Sequence, residues 1–268
     1  MPNHNWIFTG LLSASAVAVL TLSMAVPALA QSEPIAASAD LEIIDAKVRY
    51  IEDLDLLVFE QEVAGQAGGT KPETPAHARD NDDLHWEDVA AAGNFDGSAV
   101  LSYVFPTDLP PESVGFGPVE GILALVATSH PAFDDTPLWD ESGDGNYAND
   151  GGIYHAHWVV LIEDDRVPGG LAVREVEGDP AEVLPPTAPG MPIYLDSPGF
   201  QVQTQGKTVR LIVPGTRIRG ALMDFGFDAV TAYLEVNISD EERPTLGVYK
   251  VYDVLSEDLS LPYEVTSD

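Results

Sequence analysis

The residues best suited to chemistry lie in one run. It starts at Asp134-Asp135 and passes through Asp140-Glu141-Ser142-Gly143-Asp144-Gly145-Asn146 and Asp150. It ends at Tyr154-His155-Ala156-His157-Trp158. Its first part is a Gly-punctuated cluster of carboxylates and amides, the oxygen donors that a hard cation such as calcium takes. Its second part is a His-x-His pair opening an apolar stretch, and neutral imidazole suits zinc, copper, nickel and iron. The chain has 6 His, and two of them are here.

Side chains alternate faces along a strand. If 153–162 is extended, His155, His157, Val159 and Leu161 share one face, and Ala156, Trp158, Val160 and Ile162 share the other. Imidazoles at i and i+2 then stand about 6–7 Å apart at their Cα atoms, close enough to reach a common ion. A bare His-x-His also occurs as two ordinary strand residues, but here it follows an acidic loop and has an aromatic on each side. Candidates for a third ligand, in order, are His85 beside Trp86, then His130 before Pro131, then His77 in a very polar stretch. Zinc takes four ligands, so a carboxylate such as Glu163 or Asp150 could complete the set.

The acidic segment Asp140-x-Ser142-x-Asp144-Gly145 resembles the first half of an EF-hand loop, but Gly151 stands where the closing Glu belongs. A calcium loop of another kind is expected, drawing on Asp134, Asp135, Asp140, Asp144, Asn146 and Asp150. The alternative is a solvated acidic turn.

These residues sit in a chain that reads as strands and loops. Segments 41–50 and 56–63 form an expected hairpin around Glu52-Asp53-Leu54-Asp55. Segments 99–105, 121–128, 153–162 and 171–176 read as strands, the first stopping before Pro106. Gly206-Lys207 marks a second hairpin between 201–204 and 208–213, and 233–238 and 247–255 complete the set. The stretch 65–98 is long and rich in Gly, Pro and Asp, as functional loops are, with a helical turn expected at 86–92. The tail after Ser256 reads as frayed. Long amphipathic helical windows are scarce. The expected fold is all-β, an antiparallel β-sandwich or jelly-roll-like arrangement with long functional loops.

The first 30 residues read as a cleaved signal peptide. Leu11 to Leu29 is apolar, Pro27 interrupts it, and Ala28-Leu29-Ala30 fits a cleavage site. Residues 31–268 then form a single β-rich domain, secreted, periplasmic or associated with the outer surface. No later segment suggests membrane insertion. There are no Cys, so neither disulfides nor thiolate ligands are available. The net charge is −32, with Lys only at 47, 71, 207 and 250. Nucleic acid and anionic lipid are therefore poor partners; most of the charge reads as an adaptation for solubility in a salty medium, with attraction of cations as the functional alternative. Only Met191 and Met223 follow the leader, which excludes a Met-rich copper site.

Several enzyme classes are excluded by motif. The His155-x-His157 pair followed by Glu163 and Gly169-Gly170 is close to a cupin first motif. However, five residues separate His157 from Glu163, and no His follows to supply the second motif. H-E-x-x-H, G-x-S-x-G and P-loop sequences are absent.

From Thr128-Ser129-His130-Pro131 to Tyr154-His155-Ala156-His157-Trp158, about a tenth of the chain, the sequence resembles the surface-associated, copper-repressible copper-binding proteins of methanotrophic bacteria and related metal-regulated secreted proteins. The resemblance implies a β-rich fold, a mononuclear copper site built mainly from His, and a nearby calcium. It also implies an oxidised Trp ligand in some members, for which Trp86 and Trp158 would be the candidates.

The expectation is a secreted or periplasmic protein that sequesters or delivers copper or zinc through His155 and His157, with His85 or His130 as third ligand and calcium in the acidic loop. A metalloenzyme using the same pair, and a calcium-stabilised extracellular binding module, are the alternatives.

Overall fold

The computed structural model describes residues 34–73, 95–220 and 222–267. Strands dominate. The first two are β1 (Ile43–Ile51) and β2 (Leu56–Val63), joined through a tight turn that Asp55 closes with φ 52°. They are followed by β3 (Ser98–Thr107), β4 (Ile122–Ser129), β5 (His155–Glu163) and β6 (Leu171–Val173). A single helical turn, α1 (Pro180–Val183), has Pro at its start and an Asp179 side-chain cap on Ala181 N–H. Then come β7 (Leu195–Asp196), β8 (Gln201–Gln205), β9 (Thr208–Pro214) and β10 (Gly226–Phe227). The series ends with β11 (Val230–Val236), β12 (Leu246–Val254), β13 (Tyr263–Glu264) and β14 (Thr266–Ser267).

The strands form two layers. A five-stranded sheet runs β14-β1-β2-β9-β8. In the other layer β11, β12, β6, β5, β4 and β3 pair in turn, and β3 pairs back onto β11 from Val104↔Val230 to Ser98↔Val236. This closes a six-stranded antiparallel barrel, which removes the exposed edges an open sheet would leave. Two register shifts between β11 and β12, at Thr231/Ala232 and Tyr233/Leu234, add the local twist that closure needs. The all-β class is as expected, and the second layer is closed rather than open.

Alternation divides the apolar residues between two cores. On β3, β4 and β5 the outward residues Tyr103, Phe105, Leu125, Trp158 and Val160 pack against Val48, Phe59 and Leu211 of the first sheet. The inward residues Val104, Val126, Val159 and Leu161 join Ala232, Leu234 and Val248 inside the barrel. Trp158 meets Phe59 edge-on, with ring centroids 6.3 Å apart.

Two expectations are corrected. β3 continues through Pro106, which pairs with Ala124 near the strand end, where β3 leaves β11 for β10. A missing N–H is tolerated at such a place. The tail is not frayed: β13 pairs with β10, and β14 lies parallel to β1 through Arg49↔Thr266.

Candidate metal centre

β5 presents His155, His157, Val159 and Leu161 to the barrel interior and Trp158 to the opposite core, as period-two alternation requires. β4 pairs with β5 so that Thr128 faces His155 and Val126 faces His157. The chain leaving β4 carries His130 directly over the same end. It is tied back by His130 N–H donating to Gly151 O at 2.7 Å. Gly151 is required there, since a Cβ would lie 1.8 Å from Phe133 O.

The acidic loop then folds around its own carboxylates. Asp134 accepts from Thr136 N–H at 2.8 Å and from Asp150 N–H at 2.7 Å. Asp150 accepts from Glu141 and Ser142 N–H, both at 3.0 Å. Asp140 accepts from Gly143 N–H at 2.7 Å and Gly145 N–H at 2.8 Å, and Asp144 accepts from Asn146 N–H at 2.8 Å. Asn146 Oδ1 accepts from Ala148 N–H at 3.2 Å. These bonds hold the turn in shape.

Pinning Asp134 turns the next side chain inward. Asp135 Oδ1 lies 3.2 Å from His130 Nε2, 3.1 Å from His155 Nε2 and 3.4 Å from His157 Nε2. One ligand atom from each of the four residues lies within 4.8 Å of every other. All four residues are buried, the histidines to 1% exposure and Asp135 to 3%.

Each imidazole is oriented by its far nitrogen. His155 Nδ1 donates to Ile153 O at 2.7 Å, and His130 Nδ1 donates to Phe133 O at 3.2 Å. Ser197 Oγ donates to Asp135 O at 2.7 Å, which leaves its lone pair for His157 Nδ1–H at 3.1 Å. A main-chain carbonyl can only accept, so in the neutral rings these Nδ1 atoms carry the proton and the Nε2 atoms do not. Unshared pairs therefore converge from three nitrogens and one carboxylate. Asp135 Oδ1 and His157 Nε2 have no hydrogen-bond partner: the distances to Asp135 are short, but the directions do not suit hydrogen bonds. Thr128 Oγ1, 3.1 Å from His155 Nε2, is the nearby hydroxyl.

Electrostatics separate the members of the group. Burial opposes charge on Asp135, yet His130, His157 and His155 outweigh it and hold the carboxyl well below its usual range. Burial pushes His157 down. Burial opposes charge on His155 too, but Asp135 and Glu141 overcome it and raise its pKa. Four donors around an ion with bonds of about 2.0–2.1 Å stand about 3.3 Å apart in a tetrahedron, close to the three distances from Asp135 Oδ1 and within the 4.8 Å that bounds the whole set. The residues fit a single ion.

The structure thus brings His130, His155 and His157 together, and the fourth member is Asp135, grouped by sequence with the calcium oxygens. Asp134, Asp140, Asp144, Asn146 and Asp150 stay in the loop. Among the described residues the loop carboxylates form no second group of metal-ligating side chains. Glu163 is exposed at the far end of β5, and Asp150 is occupied by amides. His77, His85 and Trp86 lie outside the described residues. Both flanks of their segment contact neighbours of the site: Lys71 Nζ donates to Gly152 O at 2.8 Å, and Phe95 packs on Phe133, which stacks on His130. Trp158 faces away from the histidines, so neither it nor an oxidised form of it reaches them.

No protein-family model, curated protein or solved structure matches the chain. The possible metal site is therefore defined by this geometry alone, in an all-β protein.

Proposed function

We propose that the protein is an exported metal-binding protein that retains one zinc or copper ion at His130, Asp135, His155 and His157. The observation that carries this reading is the convergence of three Nε2 atoms and a carboxylate oxygen in a buried space. Asp135 Oδ1 and His157 Nε2 are buried there without a hydrogen-bond partner, an arrangement costly to bury, and a cation removes that cost. Three imidazoles and one carboxylate suit zinc or copper(II). Copper stands beside zinc because of the resemblance of the Tyr154–Trp158 segment to copper-binding surface proteins. Four protein ligands complete the usual coordination of a structural zinc. Their burial favours retention, which suits sequestration better than rapid transfer.

Export is supported by the character of residues 1–30, and the cation preference by the net charge of −32. A calcium in the acidic loop belongs to the same proposal and rests on the composition of 134–150 alone.

The test is the affinity of the mature chain for zinc and copper before and after the double substitution His155→Ala, His157→Ala. Loss of binding supports the site, and unchanged affinity removes it. A second reading, a metalloenzyme, is favoured by one observation: His130, Asp135 and His157 also line an internal cavity.

A further inference from the structure

The acidic loop is fixed to the barrel at one side and only fastened at the other. At 151–152 three bonds hold it. His130 N–H donates to Gly151 O at 2.7 Å, and Ser129 Oγ and Lys71 Nζ donate to Gly152 O at 3.1 and 2.8 Å. The limb 135–139 is fastened differently. Among the described residues its main-chain and indole hydrogen bonds to the barrel all go to Ser197. Ser197 Oγ donates to Asp135 O at 2.7 Å, and Ser197 O accepts from Trp139 Nε1–H at 2.9 Å. The indole lies against Gly199, where a Cβ would meet the ring at 2.2 Å. Gly199 has φ 68°, which glycine adopts without cost. Trp139 is half-buried, and its neighbour Leu138 is 54% exposed.

The loop is also cross-linked within itself. Asp150 accepts from Glu141 and Ser142 N–H, and Thr136 Oγ1 donates to Glu141 Oε2 at 3.0 Å. Asp135 belongs to this loop, and the histidines do not. His155 and His157 lie on β5, and His130 follows β4 directly. Releasing the limb from Ser197 would therefore withdraw one member of the group and leave three in place. It would also uncover them. The histidines are 1% exposed and Asp135 3%, so an ion cannot reach them through the closed surface. The far end of the barrel is no route. It lies six residues along β4 from Thr128, or about 20 Å, past Val126, Val159 and Leu234, and a hydrated cation does not cross aliphatic walls. The outer face of the loop carries the exposed Asp144 and the half-exposed Asp140, whose charge draws cations to this side.

We propose that the limb 135–139 is the gate of the metal centre, latched by Trp139 on Ser197 and Gly199. It opens to admit an ion to His130, His155 and His157, and it closes to deliver Asp135 as the fourth ligand. The gate rests on the metal centre proposed above. A latch that touches no ion acts on empty and loaded protein alike. Loosening it thus speeds entry and release together and leaves the dissociation constant nearly unchanged.

The test is stopped-flow uptake of zinc by the metal-free full chain and release of zinc to excess chelator, both repeated with copper(II). Trp139→Phe removes the indole N–H and keeps a ring over Gly199. It should raise both rates about fivefold, the population shift that one hydrogen bond carries, with the dissociation constant changed less than about twofold. Gly199→Ala pushes the ring away from the other side and should do the same; it serves if Trp139→Phe does not fold. In the wild type, bound zinc should slow hydrogen exchange at the Trp139 indole N–H at least tenfold, because Asp135 reaches the ion only when the limb is closed. Faster release with unchanged entry would make Trp139 a merely structural support and overturn the gate. Unchanged rates in the folded variants, or indole exchange that ignores bound zinc, would overturn the gate and leave the metal centre standing. A wild type that binds neither zinc nor copper(II) overturns the metal centre and the gate with it.

Discussion

The Nε2 atoms of His130 and His155 lie 2.8 Å apart, while the Nδ1 atom of each ring donates to a main-chain carbonyl. Two neutral imidazoles arranged this way direct lone pairs at each other. A proton or a metal ion must sit between them, and the approach of His157 and Asp135 from the other sides makes an ion the better occupant.

Metal should therefore stabilise the fold. At free metal a thousand times the dissociation constant, ligand linkage adds about 4 kcal/mol. For a domain of this size that raises the melting temperature by about 8–16 °C. Calorimetry with and without zinc checks this, and magnesium at the same concentration should give no comparable rise.

Ser197 orients His157 and supports the Asp135 main chain through one hydroxyl. Removing a group that orients a ligand weakens metal binding by about 10–100-fold. Ser197→Ala should show that loss by competition with a chelator, and it should also lower the melting temperature of the metal-free protein, because Asp135 O and His157 Nδ1–H each lose a buried partner, at a cost of about 1–3 kcal/mol.

Acid should release the ion. The ligands bind as neutral imidazoles, so protons compete and affinity falls as pH falls through the histidine range. His155, with its raised pKa, protonates first, and His157, held low, contributes at lower pH. Asp135 stays ionised throughout. For the metal-free fold the sign is opposite at His155. A raised pKa adds stability that is fully present below the unfolded value of about 6.5 and is lost as pH rises through the folded value. The gap in melting temperature between zinc-loaded and metal-free protein should thus widen from pH 6 to pH 8.

Trp158→Ala should cost about 3–5 kcal/mol of stability, as truncation of a large buried aromatic does. Trp158→Phe should leave metal affinity unchanged, because its ring lies in the inter-sheet core. Chemical denaturation and a chelator competition separate the two effects.

His85→Ala should leave zinc affinity within about threefold, since four ligands are already assembled, whereas His130→Ala should lose more than the roughly 100-fold expected of an orienting group. Equal losses would show that the segment 74–94 contributes to the site.

Much of this arrangement is legible in the sequence, for reasons that can be named. The shared face of His155 and His157 follows from strand alternation, and the β1–β2 and β8–β9 hairpins follow from their turn residues. What has no local signal depends on long-range closure. Asp135 reads as one more oxygen in an acidic loop. Only the Asp134–Asp150 bond and the Ser197 contact, from far along the chain, turn it inward. His130 ranks below His85 by sequence because adjacency to Trp86 counts in favour of His85. The close approach of Gly151 to Phe133, which seats His130, leaves no local signal beyond the glycine itself. Barrel closure through β3 and β11 joins segments more than a hundred residues apart. The tail strands β13 and β14 are two residues each, too short to show a period.

The central claim is tested most directly by a crystal structure of the zinc-loaded mature protein. The account predicts one ion bound by Nε2 of His130, His155 and His157 and by Oδ1 of Asp135. An ion held instead by the carboxylates of 140–150, or no ordered ion at saturating zinc, would contradict it.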